Sequence, residues 1–467
     1  MKNLPISVVP LAPVAALRRL PALLLTLILI ATSPARAAPV DAPELAVPGP
    51  SAVGVRAMRI DAGPVADINV PPTPGQPQPT TTRAIDALLW YPAAAASSPS
   101  GAAAPARELT RELRAHAWRP LPSSPLRVAT ASVATPEAPL LAEASAARPV
   151  VVLSHGLLNC AAAFNDLAEH LASRGFIVLG LEHADEEASN PLAAALYLRP
   201  LDQAAAIHAL ERWNATAGHV LHQQLDVSRL ALVGYSMGGY GALVTAGARV
   251  TTDGVAYGYV PGVAMARHAQ PMSDEDSRAR ARVTAVVAIA PWGGQSSIGA
   301  LKPAGLEGVT APTMLLVGDQ DDISGYADGV RAVWQGLAGA PRWLLTYENA
   351  RQNIGMNGAP LALQGTFAAW TSFEEPVWRR DRILDINRHF VTAFLDFTLR
   401  RQVSRAVFLD PVVTRSSEGA WPEPQGTPAS GSFAGPPAGA ITQWAGFQRR
   451  WALGLRMELL PAGAAKP

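Results

Sequence analysis

An α/β fold, a mostly parallel sheet with helices on both faces, is predicted by three observations. From residue 149 onward, short β-branched runs alternate with longer amphipathic ones, which is the grammar of consecutive βαβ units. The chain has 467 residues and 49% hydrophobic content, enough for a substantial buried core. No internal repeat is visible.

The elements follow in order. Residues 83–91 show the mixed alternation of an edge or antiparallel strand, closed by Pro92. Strands are predicted at 150–153, 176–181, 230–233, 283–290, 313–317 and 342–347. Helices are predicted at 161–174, ending at Gly175, and at 201–217, 238–248, 326–337 and 382–400. Segments 38–50, 71–82 and 93–147 are rich in Ala, Pro, Ser and Thr and read as linkers and surface insertions, with a short helix near 107–118. The stretch 250–282 is long for a connection and suggests a small cap. The division expected is therefore a leader at 1–37, linker and N-terminal strands at 38–82, a main domain at 83–402, and a tail at 403–467. The apolar, Trp-bearing part of that tail, 441–460, is expected to pack back onto the domain.

Lys2, Arg18 and Arg19, the apolar run 20–31, and Ala35-Arg36-Ala37 match the three regions of a secretory signal peptide, with cleavage expected after Ala37. The apolar run is shorter than the roughly 20 residues a bilayer span requires, so no stable span is expected after cleavage. A periplasmic or secreted protein follows. Cys160 is the only cysteine, so no intrachain disulfide forms and the fold rests on its core. With 38 basic and 37 acidic residues the chain lacks the electrostatic footprint of a nucleic-acid binder. No metal-ligand cluster, phosphate cradle or other cofactor motif stands out.

In a parallel sheet, ligands sit at the carboxyl ends of the strands, so the loops there are the places to search. The strand at 230–233 runs into Gly234-Tyr235-Ser236-Met237-Gly238 and then a helical stretch. That strand, tight turn and helix order is a nucleophile elbow, with Ser236 at its apex. Small residues at 234 and 238 let strand and helix approach closely.

The elbow GYSMGG, the strand end Ser154-His155-Gly156, the run Leu89-Trp90-Tyr91-Pro92 and the block PTMLLVGDQDDI at 312–323 resemble a family. They are similar to serine α/β-hydrolases of the dienelactone hydrolase and platelet-activating-factor acetylhydrolase type, which include cutinase-like polyesterases. The resemblance spans roughly 84–92 and 149–400, with a trace at 444–455. It implies an α/β-hydrolase fold, a small-molecule ester substrate and an acyl-enzyme on Ser236. By position, the peptide N–H groups of Met237 and Leu157 form the oxyanion hole. Asp319, Asp321 and Asp322 compete for the triad acid; the resemblance selects Asp321, three residues after the glycine.

The base is due in the loop after the last parallel strand, NARQNIG at 349–355, where the resembled pattern has Asn-Ala-Arg-His-Asn. Gln352 stands in that slot. An amide has no pKa near neutrality and cannot take a serine proton. Three histidines come into question as replacements. His155 and His183 lie at strand carboxyl ends and read as structural or substrate-contacting. His389 borders the apolar face of the helix at 382–400 and reads as a helix-surface histidine. Trp292 is placed to wall the site with an aromatic face. Two functions remain: an exported carboxylic-ester hydrolase slowed by Gln352, or a catalytically disabled hydrolase-fold binding or scaffold protein.

Overall fold

This computed structural model describes residues 39–70, 73, 75–94, 107–113, 126–141, 147–185, 188–360, 363–421 and 439–464; the expected signal peptide lies outside them. Among the described residues, twelve strands are arranged around one dominant sheet. In chain order they are β1 (Ala52–Ala66), β2 (Thr80–Ala93), β3 (Arg107–Leu113), β4 (Leu126–Ser132), β5 (Thr135–Pro136), β6 (Arg148–Ser154), β7 (Ile177–Glu182), β8 (Leu225–Tyr235), β9 (Val283–Ile289), β10 (Thr313–Gly318), β11 (Arg342–Tyr347) and β12 (Leu455–Leu460). The principal helices are α1 (Asn165–Ser173), α2 (Pro191–Ala215), α3 (Met237–Thr245), α4 (Asp274–Arg282), α5 (Arg331–Gly336) and α6 (Arg380–Thr398). No helix among the described residues is long and apolar enough to cross a membrane.

Ten strands pair in the order β12-β11-β10-β9-β8-β6-β7-β2-β1-β5. The pairs from β7 to β11 are parallel, and β1, β2 and β12 join antiparallel at the two sides. From β6 the chain steps one way to β7 and then returns past β6 to β8, so the direction of winding reverses beside β6. That reversal opens a crevice at the carboxyl ends of β6 and β8.

Successive residues of the central strands feed opposite cores, because a strand's side chains alternate. Val150, Val152, Leu230 and Leu232 join the cluster that includes Ile207 of α2 and Tyr240 and Leu243 of α3, whereas Val151, Leu153, Ala231 and Val233 join the cluster under α1 and α6. Both faces of the central sheet are covered by apolar side chains, as an internal parallel sheet requires.

Several boundaries differ from the sequence expectation. Residues 107–113 form a strand, not a helix: β3 pairs along its length with β4 in an antiparallel ladder, and that cross-strand partner outweighs local helical propensity. Helix α2 begins at Pro191, where the Asn190 side chain accepts the Ala193 N–H, and runs straight through Pro200. A mid-helix proline ordinarily breaks a helix because the carbonyl four residues earlier loses its donor. Here that carbonyl, on Leu196, accepts the Tyr240 hydroxyl at 3.0 Å. The tail adds an edge strand, β12, in full antiparallel register with β11. In the stretch expected as a cap, α4 packs against α2 and leads directly into the start of β9.

Candidate functional site

Ser236 sits between β8 and α3 with φ 52° and ψ −117°, a backbone conformation that costs a non-glycine residue on the order of 1–3 kcal/mol. The surroundings over-determine it. Its N–H donates to Ile289 O at 2.9 Å, and its carbonyl accepts the N–H groups of Tyr240 at 3.0 Å and Trp292 at 3.2 Å. The flanking glycines are required sterically: a Cβ on Gly238 would lie 2.1 Å from Ser154 O, and one on Gly234 would lie 2.2 Å from Gly238 O. Leu158, Ala184, Ala290 and Asn349 also have positive φ, each in the turn after a parallel strand. Five of the nine non-glycine residues with positive φ among the described residues thus lie at the carboxyl face of the sheet.

The loop after β10 brings Asp321 to this point and sends its neighbours elsewhere. Asp319 accepts the Asn349 N–H at 2.7 Å, and Asp322 pairs with Arg351. Asp321 Oδ1 accepts the N–H groups of Ile323 at 2.9 Å and Ser324 at 2.8 Å. Gln352 lies between Asp321 and Ser236. The amide orientation that satisfies its neighbours directs Nε2 to Asp321 Oδ1 and Oδ2, at 2.7 and 2.6 Å, and to Ser324 Oγ at 3.2 Å. Its Oε1 then accepts the Ser236 hydroxyl at 3.1 Å. The sequence-predicted serine, glutamine and acid therefore form one hydrogen-bonded relay.

A sheet of this order, carrying a strained serine between strand and helix and an acid after a later strand, is decisive for the fold. The chain is an α/β-hydrolase in fold.

A family model agrees with that reading over part of the chain. Residues 139–258 match the PETase family model, described as PET hydrolase-like. This segment holds the Ser154-His155-Gly156 turn and the Ser236 elbow, so the similarity falls on the two sides of the crevice. No curated protein is matched. Among solved structures, a ferulic acid esterase from Streptomyces cinnamoneus is similar at TM-score 0.45 and 17% identity, over 79% of this chain and 93% of that one.

The loop bearing Gln352 is rigidly held. Glu375 accepts the N–H groups of Arg351 at 2.6 Å and Asn353 at 2.7 Å, on either side of the glutamine. The Tyr235 hydroxyl donates to the Gln352 carbonyl at 3.2 Å, and Arg380 donates to Asn353 O at 2.7 Å. Burial pushes the Asp321 carboxyl up to about 6, against the pull of the Ile323 and Ser324 N–H groups. The two donors from Gln352 also oppose burial, so they favour the ionised carboxylate.

Of the three candidate histidines, none hydrogen-bonds Ser236. His155 and His183, read from the sequence as structural or substrate-contacting, are each 1% exposed and buried at the turn after β6, the structural alternative. His183 Nδ1 donates to Asp202 Oδ2 at 2.7 Å, and its Nε2 accepts the Ser154 hydroxyl at 2.8 Å. This is a second Ser-His-Asp relay, chemically like a hydrolytic triad but sealed in the core. Arg83 grips the same aspartate through two bonds of 2.5 and 2.7 Å. Burial, reinforced by the charge of Arg199, holds both imidazoles well below the usual histidine range, and they are neutral. His389 is fully buried rather than on the helix surface, because the N-terminal turn and the tail both cover α6. Its Nδ1 accepts the Leu45 N–H at 3.1 Å and its ring packs on Phe390, Phe408 and Phe447.

Leu157, in the turn after β6, and Trp292, in the turn after β9, are half-buried. Among the described residues, the Leu157 N–H has no hydrogen-bond acceptor within the protein, and the Met237 N–H is at the first residue of α3, where helices leave donors unpaired. Sequence reasoning missed the roles of Arg199, Asp202, Glu375 and Tyr235, which hold these loops from outside them. No group of three or more His, Cys, Asp or Glu among the described residues could hold a metal ion.

Proposed function

We propose that the chain is an exported serine hydrolase of carboxylic esters that forms an acyl-enzyme on Ser236. In this reading the N–H groups of Met237 and Leu157 hold the oxyanion, Asp321 is the acid, and Gln352 occupies the position of the general base. The observation that carries it is the Gln352 bridge, 3.1 Å from Ser236 Oγ on one side and 2.6–2.7 Å from the Asp321 carboxylate on the other. The PET hydrolase-like match over 139–258 supports an ester as the substrate class. Half-buried Leu157 and Trp292 favour a small or moderately apolar acyl group. The basic, apolar and A-x-A pattern of the first 37 residues supports export.

Chemically, Gln352 orients the serine hydroxyl but leaves its proton in place. Attack must then release that proton to water, which slows acylation, and the water that frees the acyl group has no base to activate it. Turnover is slow, and it rests on the oxyanion donors and binding.

The same glutamine favours one other reading, a hydrolase-fold protein that binds ester-like ligands without cleaving them. A fluorophosphonate probe decides between them. The hydrolase should be labelled at Ser236, should release p-nitrophenol from p-nitrophenyl acetate above the spontaneous rate, and should lose both properties in Ser236→Ala. A folded chain that is neither labelled nor active is the binding protein.

A further inference from the structure

We propose that Arg199 of α2 is a positioning residue for the oxyanion hole, an assignment that rests on the hydrolase reading above. Arg199 is completely buried, yet its guanidinium reaches the turn after β6 and donates to two consecutive carbonyls. Nη1 bonds His155 O, and Nη2 bonds Gly156 O at 3.0 Å. The second carbonyl is the decisive one, because it belongs to the same peptide group as the Leu157 N–H.

In a trans peptide the C=O and N–H point in opposite directions, and the described chain contains no cis bond. Gripping Gly156 O from inside the core therefore aims the Leu157 N–H outward, away from Arg199. Gly156 itself lies beside the nucleophile: a Cβ built on it would stand 3.6 Å from Ser236 Cβ. A second donor reinforces the grip. His155 Nδ1 donates to Gly156 O at 2.7 Å, a tautomer fixed by the His183 N–H donating to His155 Nε2 at 3.3 Å.

Positive charge on the carbonyl side also polarises the peptide, which strengthens its N–H as a donor. The next N–H is kept out of the way: Leu158 N donates to Asp185 Oδ2 at 3.3 Å. Asp185 is the counter-ion of Arg199, bonded through Nη2 and, at 3.2 Å, through Nε. Burial works to raise the Asp185 carboxyl, but the Arg199 charge outweighs it and holds it below the usual range, so the pair is ionised. One ion pair thus sets both N–H groups of the turn, releasing Leu157 to the crevice and occupying Leu158. The backbone of α2 at this point is anchored in turn by the Tyr240 bond to Leu196 O.

The test uses Arg199→Lys in the full chain, since lysine keeps the charge but lacks the fork needed for two carbonyls. It is measured in two backgrounds. With Gln352 in place, the second-order rate of fluorophosphonate labelling at Ser236 is read; with Gln352→His, kcat and KM for p-nitrophenyl acetate are read. Loss or misdirection of one oxyanion donor costs up to about 100- to 1000-fold, so a fall in kcat and in labelling rate of about 10- to 100-fold is expected, with KM within about twofold. A chain that was merely loosened would lose KM and thermal stability together. Should Arg199→Lys fail to fold, His155→Phe removes the second donor to Gly156 O and should lower kcat less, again at constant KM. Labelling and kcat within twofold of the parent, in a folded variant, overturn the assignment alone. A parent chain that is never labelled at Ser236 overturns it together with the hydrolase reading.

Discussion

On the proposed hydrolase reading, replacing Gln352 with histidine should raise turnover, and the structure sets the size of the gain. The amide already marks both ends of a triad base: its Oε1 lies 3.1 Å from Ser236 Oγ and its Nε2 2.6–2.7 Å from the Asp321 carboxylate. An imidazole there would place Nε2 toward the serine and Nδ1–H toward the acid. The supporting loop need not move, because Glu375, Tyr235 and Arg380 hold its backbone and not the Gln352 side chain. A positioned general base contributes about 10²–10⁴-fold, or about 3–5 kcal/mol at 1.36 kcal/mol per tenfold. Because 3.1 Å is long for a bond from a hydroxyl, a gain of about 100- to 1000-fold is expected, at the lower end of that range. The assay is p-nitrophenyl acetate hydrolysis, normalised to fluorophosphonate-titrated sites. The variant should also gain a pH dependence set by its imidazole. Its imidazole, facing the Asp321 carboxylate, would titrate above the ordinary value of about 6.5 and act only when neutral, so kcat/KM should climb through about pH 7 to a plateau. A folded Gln352→His protein with turnover within threefold of the parent would refute the placement of the base.

Three further outcomes are expected. Asp321 is held at about 6 in the folded chain against 3.8 otherwise; it binds its proton more tightly when folded, so its contribution favours folding below about pH 4 and is lost as pH rises to about 6, by at most about 3 kcal/mol. Asp321→Asn mimics the protonated group and should melt above the parent at pH 8, with the gap closing near pH 4; a gap that widens on acidification contradicts this. Gly238→Ala would press a methyl against Ser154 O at 2.1 Å, backbone that cannot yield, and should cost about 3 kcal/mol or more in urea unfolding; a loss below about 1 kcal/mol would show the turn to be pliant. Glu375→Gln removes one of two acceptors for N–H groups bonded at 2.6 and 2.7 Å and should cost about 1–3 kcal/mol. In the Gln352→His background it should lower kcat while KM is held, and equal loss in both would speak for general disorder.

The parts of the site that are legible in the sequence are those encoded within a few consecutive residues. The elbow is one, since Gly234, Ser236 and Gly238 are dictated by a single tight turn. The lack of a base in its expected slot is another, because Gln352 follows its strand directly. The alternation of strands and helices is equally visible, for each parallel strand is apolar along its length when buried on both faces. Boundaries are lost where a distant partner decides. Pro200 reads as a helix limit because the Tyr240 hydroxyl that bonds the Leu196 carbonyl comes from another helix. Residues 107–113 read as helical because their partner strand β4 is not local.

The histidines show the same division. Sequence position alone puts His155 and His183 at the carboxyl ends of strands, which is where they are, but it cannot show that their side chains turn inward. By itself the sequence determined the fold class, the strand, turn and helix that place Ser236, and a glutamine in the loop after the last parallel strand, because each depends on the order of residues along one strand and turn. Only the tertiary structure decided that Gln352 spans the gap between the Asp321 carboxylate and the Ser236 hydroxyl, and that Arg199 grips the turn after β6. Those relations join loops from different strands, and a hydrogen bond depends on the meeting of two side chains in space, not on their spacing in the chain.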